Sequence, residues 1–346
     1  MSLYHLACYG ASFIQKASYE QKMRRLLDRL GITPLIFAKT IIKLFAIDSF
    51  ELIIDRTNWM FGKTDINFLV LSITWNNLAI PIYWIMLNNK GGNSNSDQRI
   101  ELVKWFTSNF DKSKITCIYA DREFPSIDFI TWLLAKEQGI NFIFRCKSSI
   151  TASDGSKRVS LSKLHHNLCN MPNKTKVDSH IRRIFGCRLF ISARLNDTNG
   201  CIILVSNQFH RDPFSLYARR WMIENMFGKF KIKGFNLEST HLTQYNRLAS
   251  LFTLIAIAYC YSCKIGSIAN SIKPINIKKL KRSNNTFQEV PEFSLFNYGF
   301  YLLKNITISY LCDSAVVARQ LYQILNYPPH ANIPKRSRIH RIIVNF

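Results

Sequence analysis

Acidic side chains are what this sequence has least of. Asp and Glu number 22 in 346 residues against 46 Lys and Arg, giving a formal net charge of +24 and a pI near 9.8. That imbalance disfavours a metabolic enzyme for small neutral substrates and points to a polyanionic partner, nucleic acid first and an anionic membrane second. There is no glycine-rich phosphate loop: Gly91-Gly92 stands alone, and no Gly-Lys-Ser/Thr follows a strand-like run. There is no Gly-x-Ser-x-Gly turn, and the eight histidines are dispersed, so neither a serine-hydrolase elbow nor a spaced zinc site is encoded. Met1 to Phe13 lacks a basic start and a clean apolar run, so no signal peptide is expected. The apolar run Leu248 to Cys263 is 16 residues, short of the ~20 that cross a bilayer, and reads as a core helix with no membrane role. The nine cysteines are odd in number and scattered. Cys260 and Cys263 have zinc-like spacing without a second pair, so free, mostly buried thiols in a reducing cytosolic compartment are the simplest reading.

What is present is enough apolar sequence to build a core. Hydrophobic residues make up 47% and aromatics 13%, which excludes a disordered basic tail. The length suits one large domain with additions, or two domains. Residues 1–48 read as helical and basic, with leucines on one face of Gln21–Leu30 and cations on the other, a region suited to binding DNA. Glu51–Asp55, Phe68–Trp75 and Leu78–Leu87 read as strands, the last two joined by the tight-turn pair Asn76-Asn77. Helical pattern at Asp97–Phe110 and Ser126–Gln138 alternates with strand pattern at Ile115–Ala120 and Asn141–Cys146. Hairpins followed by β-α-β units predict an α/β domain with a mixed sheet flanked by helices.

Residues 147–211 interrupt that rhythm with short alternating segments, Arg182–Leu195 and Cys201–Ser206, and turn signals at Asp154-Gly155 and Asn196–Gly200. They carry 11 Lys/Arg against 3 Asp, a local +8, and read as a β-rich insertion with a basic face. Helical pattern resumes at 213–233 and 240–264. The tail, 264–346, carries 12 Lys/Arg against 3 acids, with a polar stretch at Ser283-Asn284-Asn285-Thr286. The domain reading is thus 1–48, a catalytic domain over 49–265 interrupted at 147–211, and a basic region at 266–346 for DNA binding or dimerisation.

With carboxylates so scarce, their placement is informative. Asp55 and Asp121 each terminate an apolar strand-like run, where the ends of neighbouring strands can bring acids together; singly, an Asp after a strand is most often a turn former. On a continuous helix through 216–231, Tyr217, Arg220, Glu224 and Lys231 fall in one stripe about 60° wide. An ordinary solvated face accounts for Arg220 and Glu224 as an i,i+4 pair, but not for the Tyr and the distant Lys.

The spacing Tyr217-x2-Arg220-x3-Glu224-x6-Lys231 resembles the Y-R-E-K signature of the insertion-sequence-four family of bacterial DDE transposases. Asp55-Arg56-Thr57-Asn58-Trp59 resembles that family's first-aspartate motif and Asp121-Arg122-Glu123-Phe124 its second. Further matches in kind are Lys90-Gly91-Gly92-Asn93-Ser94, Lys233–His241 and Phe293–Gly299, so the resemblance runs from about 50 to 303. It implies a ribonuclease-H-like core with a β-rich insertion before the last acidic helix, and the 103 residues between Asp121 and Glu224 accommodate the segment 147–211.

It further implies that Asp55, Asp121 and Glu224 form a catalytic, metal-binding triad for two Mg²⁺ ions, with Mn²⁺ able to substitute. Tyr217, Arg220 and Lys231 would bind DNA phosphates; Glu123 and Asp65 are the fallback carboxylates. In the family, water releases a 3′-OH at the transposon end, which forms a hairpin that is reopened before target joining. The implied partners are double-stranded DNA, both transposon ends and target, and a second copy of the chain, at the nucleoid in a bacterial cytoplasm. The six tryptophans all lie outside 147–211, which leaves Phe185, Phe190 and Phe209 as the insertion's aromatics for an unstacked base. Two other readings stay open here: a remnant that keeps the triad but only binds DNA, and a ribonuclease-H-like nuclease without strand transfer. The roughly 50 residues before the first aspartate motif, short for an end-recognition domain, favour the remnant.

Overall fold

The computed structural model describes residues 15–87, 93–153, 155, 157–171, 174–178, 180–196, 200–281, 285–309 and 314–325. Lys90-Gly91-Gly92, Asp154, the 197–199 turn positions, Arg282, Ser283-Asn284 and the cysteines Cys8 and Cys312 lie outside them. The chain forms two compact units: the described residues up to Lys39 with Ala46–Ser250, and Thr40–Phe45 with the described residues from Leu251 onward.

Two helices come first, α1 (Lys16–Asp28) and α2 (Pro34–Phe45). A three-stranded meander follows: β1 (Phe50–Phe61), β2 (Thr64–Trp75) and β3 (Leu78–Met86), all antiparallel. Asn76 and Asn77 turn β2 into β3 with φ of 44° and 60°, the left-handed pair that a two-residue hairpin needs and that asparagine tolerates. Along β2, Ile66 to Ile73 is buried without a break, so this strand is covered on both faces. Each large apolar side chain there contributes about 1.5–3 kcal/mol.

Helix α3 (Ser96–Asn109) starts where Asn95 accepts from the Gln98 backbone N–H and Gln98 reciprocates, satisfying two N–H groups that the first turn leaves over. It leads to β4 (Ile115–Ala120), then α4 (Ile127–Leu134), capped by Ser126, and β5 (Phe142–Cys146). Helix α4 stops short of the expected Gln138. Ala135 leaves the helical region at ψ 143°, and the chain turns through Gly139 at φ +58° to enter β5. Strands β1, β4 and β5 are parallel neighbours.

The segment 147–211 supplies β6 (Thr151–Ser153), β7 (Arg158–Ser160), the short α5 (Leu161–Leu164), β8 (Thr175–Val177), β9 (Arg182–Ile184), β10 (Cys187–Leu195) and β11 (Cys201–Ser206). The expected single run Arg182–Leu195 is a hairpin, split at Phe185-Gly186 with φ of 52° and 77°. Because β11 pairs with β5, these strands extend the core sheet. One eleven-stranded sheet results, in the order β3-β2-β1-β4-β5-β11-β10-β9-β6-β7, with β8 beside β10. This is the expected α/β architecture, a ribonuclease-H-like mixed sheet flanked by helices with a β-rich insertion before the last acidic helix. That helical region comprises α6 (Pro213–Tyr217), a 3₁₀ turn at Ala218–Arg220 and α7 (Trp221–Phe230).

Helix α8 (Tyr245–Ile272) begins in the first unit and ends in the second. At 28 residues it outruns the 16-residue apolar core read from the sequence, and by length and composition alone it could cross a membrane. Phe252, Ala256, Tyr259, Cys260 and Cys263 form a buried stripe along it, the spacing of a core helix. The second unit also holds the hairpin β12 (Ile277–Lys281) and β13 (Phe287–Pro291), then α9 (Leu295–Ser309) and α10 (Ser314–Leu325). Its core gathers Ile265, Ile268, Ala269, Tyr298, Leu302, Ile306 and Ile324. Gly266 and Gly299 let α8 and α9 touch: a Cβ on Gly299 would collide with the Ser262 carbonyl, and one on Gly266 with that of Leu295. Cys117, Cys146, Cys260 and Cys263 are buried free thiols, and Cys187 and Cys201 are half-buried free thiols.

Candidate active site

Strand register brings the first two carboxylates together. The parallel pairing of β1 with β4 ends at Ile54 opposite Ala120, so Asp55 and Asp121 are the next residue on each of two adjacent strands. Asp55 does not end its strand, as the sequence pattern suggests. Strand β1 continues six residues further, to Phe61, because β2 remains its antiparallel partner through Phe61 opposite Thr64. Asp55 sits where β1 outruns β4.

The third carboxylate arrives from across the sheet. Asp212 caps α6, accepting from the Ser215 N–H at 3.1 Å, and Pro213 occupies the first turn where its missing N–H costs nothing. Ile223, Met226, Phe227 and Phe230 form the buried face of α7, which packs against β3 and β1. That stripe fixes the rotation of α7 and leaves Glu224 at its boundary. The 3₁₀ turn is tied down by Arg219, which pairs with Glu51 on β1, and Glu51 also accepts from Thr74 at 2.9 Å.

Arg220 joins the set. Its side chain is 3% exposed; Nη1 donates to Asp55 Oδ2 at 3.2 Å and Nη2 to Glu224 Oε1 at 2.6 Å. Its Nε is buried without a hydrogen-bond partner among the described residues. Tyr217 donates its hydroxyl to Asp121 Oδ1 at 3.2 Å, and the Arg145 guanidinium lies 3.6 Å from the same oxygen. Arg220 thus bridges Asp55 and Glu224, and Tyr217, whose ring centroid lies 5.6 Å from the same guanidinium, holds Asp121 beside them.

The electrostatics follow from burial and crowding. Asp55 is pushed up to about 7, first by burial, with Asp121 and Glu224 adding to the rise while Arg220 and the Arg56 N–H oppose it. Burial raises the Tyr217 hydroxyl well above its ordinary range, so it stays a donor. Burial works against the charge of Arg220, but Tyr217, Asp55, Asp121 and Glu224 outweigh it and hold the guanidinium above its ordinary value.

Lys231 does not share the stripe. The 3₁₀ turn breaks the continuous helix that the stripe assumed, and Lys231 caps α7 with ψ −127°, outside helical geometry. Its Nζ reaches the Asn58 carbonyl and Glu238 Oε1, both at 2.9 Å, placing it three residues past Asp55 along β1. Of the fallback carboxylates, Glu123 is gripped by Arg56 at 3.3 Å, and Asp65 lies opposite Met60 towards the far end of the β1–β2 hairpin. Phe190 and Phe209 pack edge to face at 5.9 Å, and Phe185 sits in the β9–β10 turn. Arg145, Arg219, Glu51 and the 58%-exposed Trp221 beside Arg220 were not picked out by the sequence reading. Their only signal was proximity to strand ends or to Arg220.

Three carboxylates are the hard-oxygen donor set that a divalent cation takes. In kind they fit, and their mutual repulsion at Asp55 is what such an ion would relieve. As they stand, Arg220 spans two of them, and no three His, Cys, Asp or Glu side chains among the described residues are grouped to hold an ion.

Residues 42–261 match the family model of the transposase DDE domain. No curated protein matches the chain. Among solved structures, a cryo-EM structure of a piggyBac transposase synaptic complex with hairpin DNA aligns with 100% of this chain and 71% of its own. It does so at 13% identity and a TM-score of 0.49, a likeness too distant to carry functional weight.

Proposed function

The chain belongs to the transposase DDE domain family, and from that premise we propose that it is an insertion-sequence-four-type enzyme of cut-and-paste DNA transposition. The observation that carries the reading is the meeting of Asp55 and Asp121 beside the β1–β4 junction with Glu224 from α7, Arg220 bridging Asp55 to Glu224 and Tyr217 holding Asp121. DDE transposases use divalent metal ions; Mg²⁺, held by Asp55, Asp121 and Glu224, would activate the attacking hydroxyl and stabilise the leaving oxygen. Arg220 gives up at least one carboxylate when that happens, and its freed fork suits a phosphate of the DNA end. Tyr217 keeps Asp121 oriented through its hydroxyl. Lys231, displaced along β1, holds a phosphate further from the reacting bond. The partners are duplex DNA at the element ends and in the target, and a second copy of the chain in the end complex, at the nucleoid of a bacterial cytoplasm.

The test is end cleavage of a duplex in Mg²⁺, or in Mn²⁺. Asp55→Asn, Asp121→Asn and Glu224→Gln should each abolish cleavage while leaving DNA binding within a few-fold of the parent. Full cleavage by any one of the three removes that residue from the assignment. Arg220→Ala and Lys231→Ala should still nick the first strand but fail at hairpin formation and joining on pre-nicked ends. A simple nuclease would lose nothing there.

A further inference from the structure

The insertion carries a charge arrangement that the proposed active site does not use. In β7, β6, β9 and β10 the register places Arg158 opposite Ser153, Ser153 opposite Arg183, and Arg183 opposite Arg188. Directly opposed residues of antiparallel strands project from the same face, so three arginines and a serine form one row across four strands. Arg183 and Arg188 are immediate neighbours, and Arg158 is two strands from Arg183. All three arginines are exposed, and none has an acidic or hydrogen-bonding partner among the described residues. The nearby Asp178 is committed to Arg182 and His180.

Like charges placed directly opposite each other destabilise a sheet. Among the described residues this row has no counter-charge, a cost that an anionic ligand would relieve. The same arginines line an open cleft of about 1010 Å³, together with Arg182, Phe185 and the 60%-exposed Ile127. Strands lie about 4.8 Å apart, so the row is roughly 14 Å long. One strand of a duplex carries a charge every ~3.4 Å of rise along the axis and its phosphates lie further apart than that along the backbone, so the row is longer than one phosphate and larger than one small anion. Cations in line, with an aromatic and an aliphatic side chain beside them, match a sugar–phosphate backbone.

We infer that Arg158, Arg183 and Arg188 are a phosphate-binding row and that the cleft takes the backbone of one DNA strand. The choice of DNA as occupant rests on the proposed function; the row itself does not.

The experiment measures DNA binding by the full chain without divalent metal, so that no cleavage intervenes, across roughly 50–200 mM salt. Replacing all three arginines (Arg158→Gln, Arg183→Gln, Arg188→Gln) should flatten the log–log salt slope by about 0.7–0.9 for each phosphate that the variant no longer neutralises. The same charge removed elsewhere on the surface, by Lys104→Gln, Lys114→Gln and Lys136→Gln, should change it much less. Equal flattening in both variants, or none in the arginine variant, overturns the inference. Inorganic tripolyphosphate that displaces DNA at matched phosphate concentration would make the cleft a small-anion site and overturn the strand reading. A preference for single-stranded RNA over DNA would overturn DNA as the occupant. Folding is read independently: Arg183→Gln alone should raise the melting temperature at low salt, because it relieves the opposed pair. A lower melting temperature counts against an uncompensated row. Since no cleavage is measured, a flattened slope would stand even if the triad variants proved fully active.

Discussion

His165, in the insertion, is 5% exposed, and neither ring nitrogen has a hydrogen-bond partner among the described residues. Burial, helped by Lys176, holds its proton affinity down to about 4. In the unfolded chain a histidine takes up its proton near 6.5. Above that pH neither state is protonated and the fold keeps its full stability. As pH falls from about 6.5 towards 4 only the unfolded state gains the proton, so stability declines, by roughly 3 kcal/mol at most. His165→Leu should therefore melt higher than the parent near pH 5 and close to it near pH 7.5, by thermal denaturation in both buffers. A parent–variant difference that does not change with pH would show that His165 is solvated. Legibility at this scale was uneven. Asp55, Asp121, Arg220 and Glu224 could be picked out because scarce acids directly after apolar runs and an i,i+4 pair leave a local trace. The partners of Lys231 could not, since Asn58 and Glu238 are brought to it by how α7 ends rather than by spacing along the chain.

At the scale of elements, strands and turns were the legible part. Asn76-Asn77, the β4 run and the meander follow local chemistry that a short window contains. Three features depended on tertiary partners and were misread: the reach of β1 past Asp55, which β2 sustains; the 3₁₀ turn at Ala218–Arg220, which Arg219 and Glu51 pin; and the length of α8. The Phe293–Gly299 motif had no physical reading in sequence, and the close approach of α8 and α9 supplies one for Gly299. Gly299→Ala should cost about 1–3 kcal/mol, the usual penalty for forcing a methyl into packed backbone, and lower the melting temperature. Gly31→Ala is the reference, because nothing stands within 4 Å of its added Cβ; it should be neutral or slightly stabilising. Equal melting temperatures for the two variants would mean that the helices do not touch at Gly299.

For the molecule as a whole, the net charge of +24 sets how binding responds to its ionic surroundings. Each phosphate neutralised adds about −0.9 to the salt slope on duplex DNA. The parent should lose at least tenfold in affinity for non-specific duplex between roughly 50 and 200 mM salt, in a fluorescence anisotropy titration. Binding that hardly changes over that range would argue against DNA as the partner. The charge sum was readable from composition, whereas the alignment of three arginines from β7, β9 and β10 was not, because register between short strands is fixed by pairing.

The continuity of the sheet makes it a ruler. From Asp121 beside β4 to Arg183 on β9 the path crosses β5, β11 and β10, four inter-strand steps, or roughly 19 Å at about 4.8 Å each. Adjacent strands also rotate by about 20–25°, so the two ends are turned from one another by something near a right angle. Hydrogen-bonded strands cannot slide without breaking their ladders, so this offset is part of the fold and needs no hinge. A nucleic acid engaged at both ends would meet surfaces held at that fixed offset, so the frame would choose its ligand by shape and deformability as well as by charge.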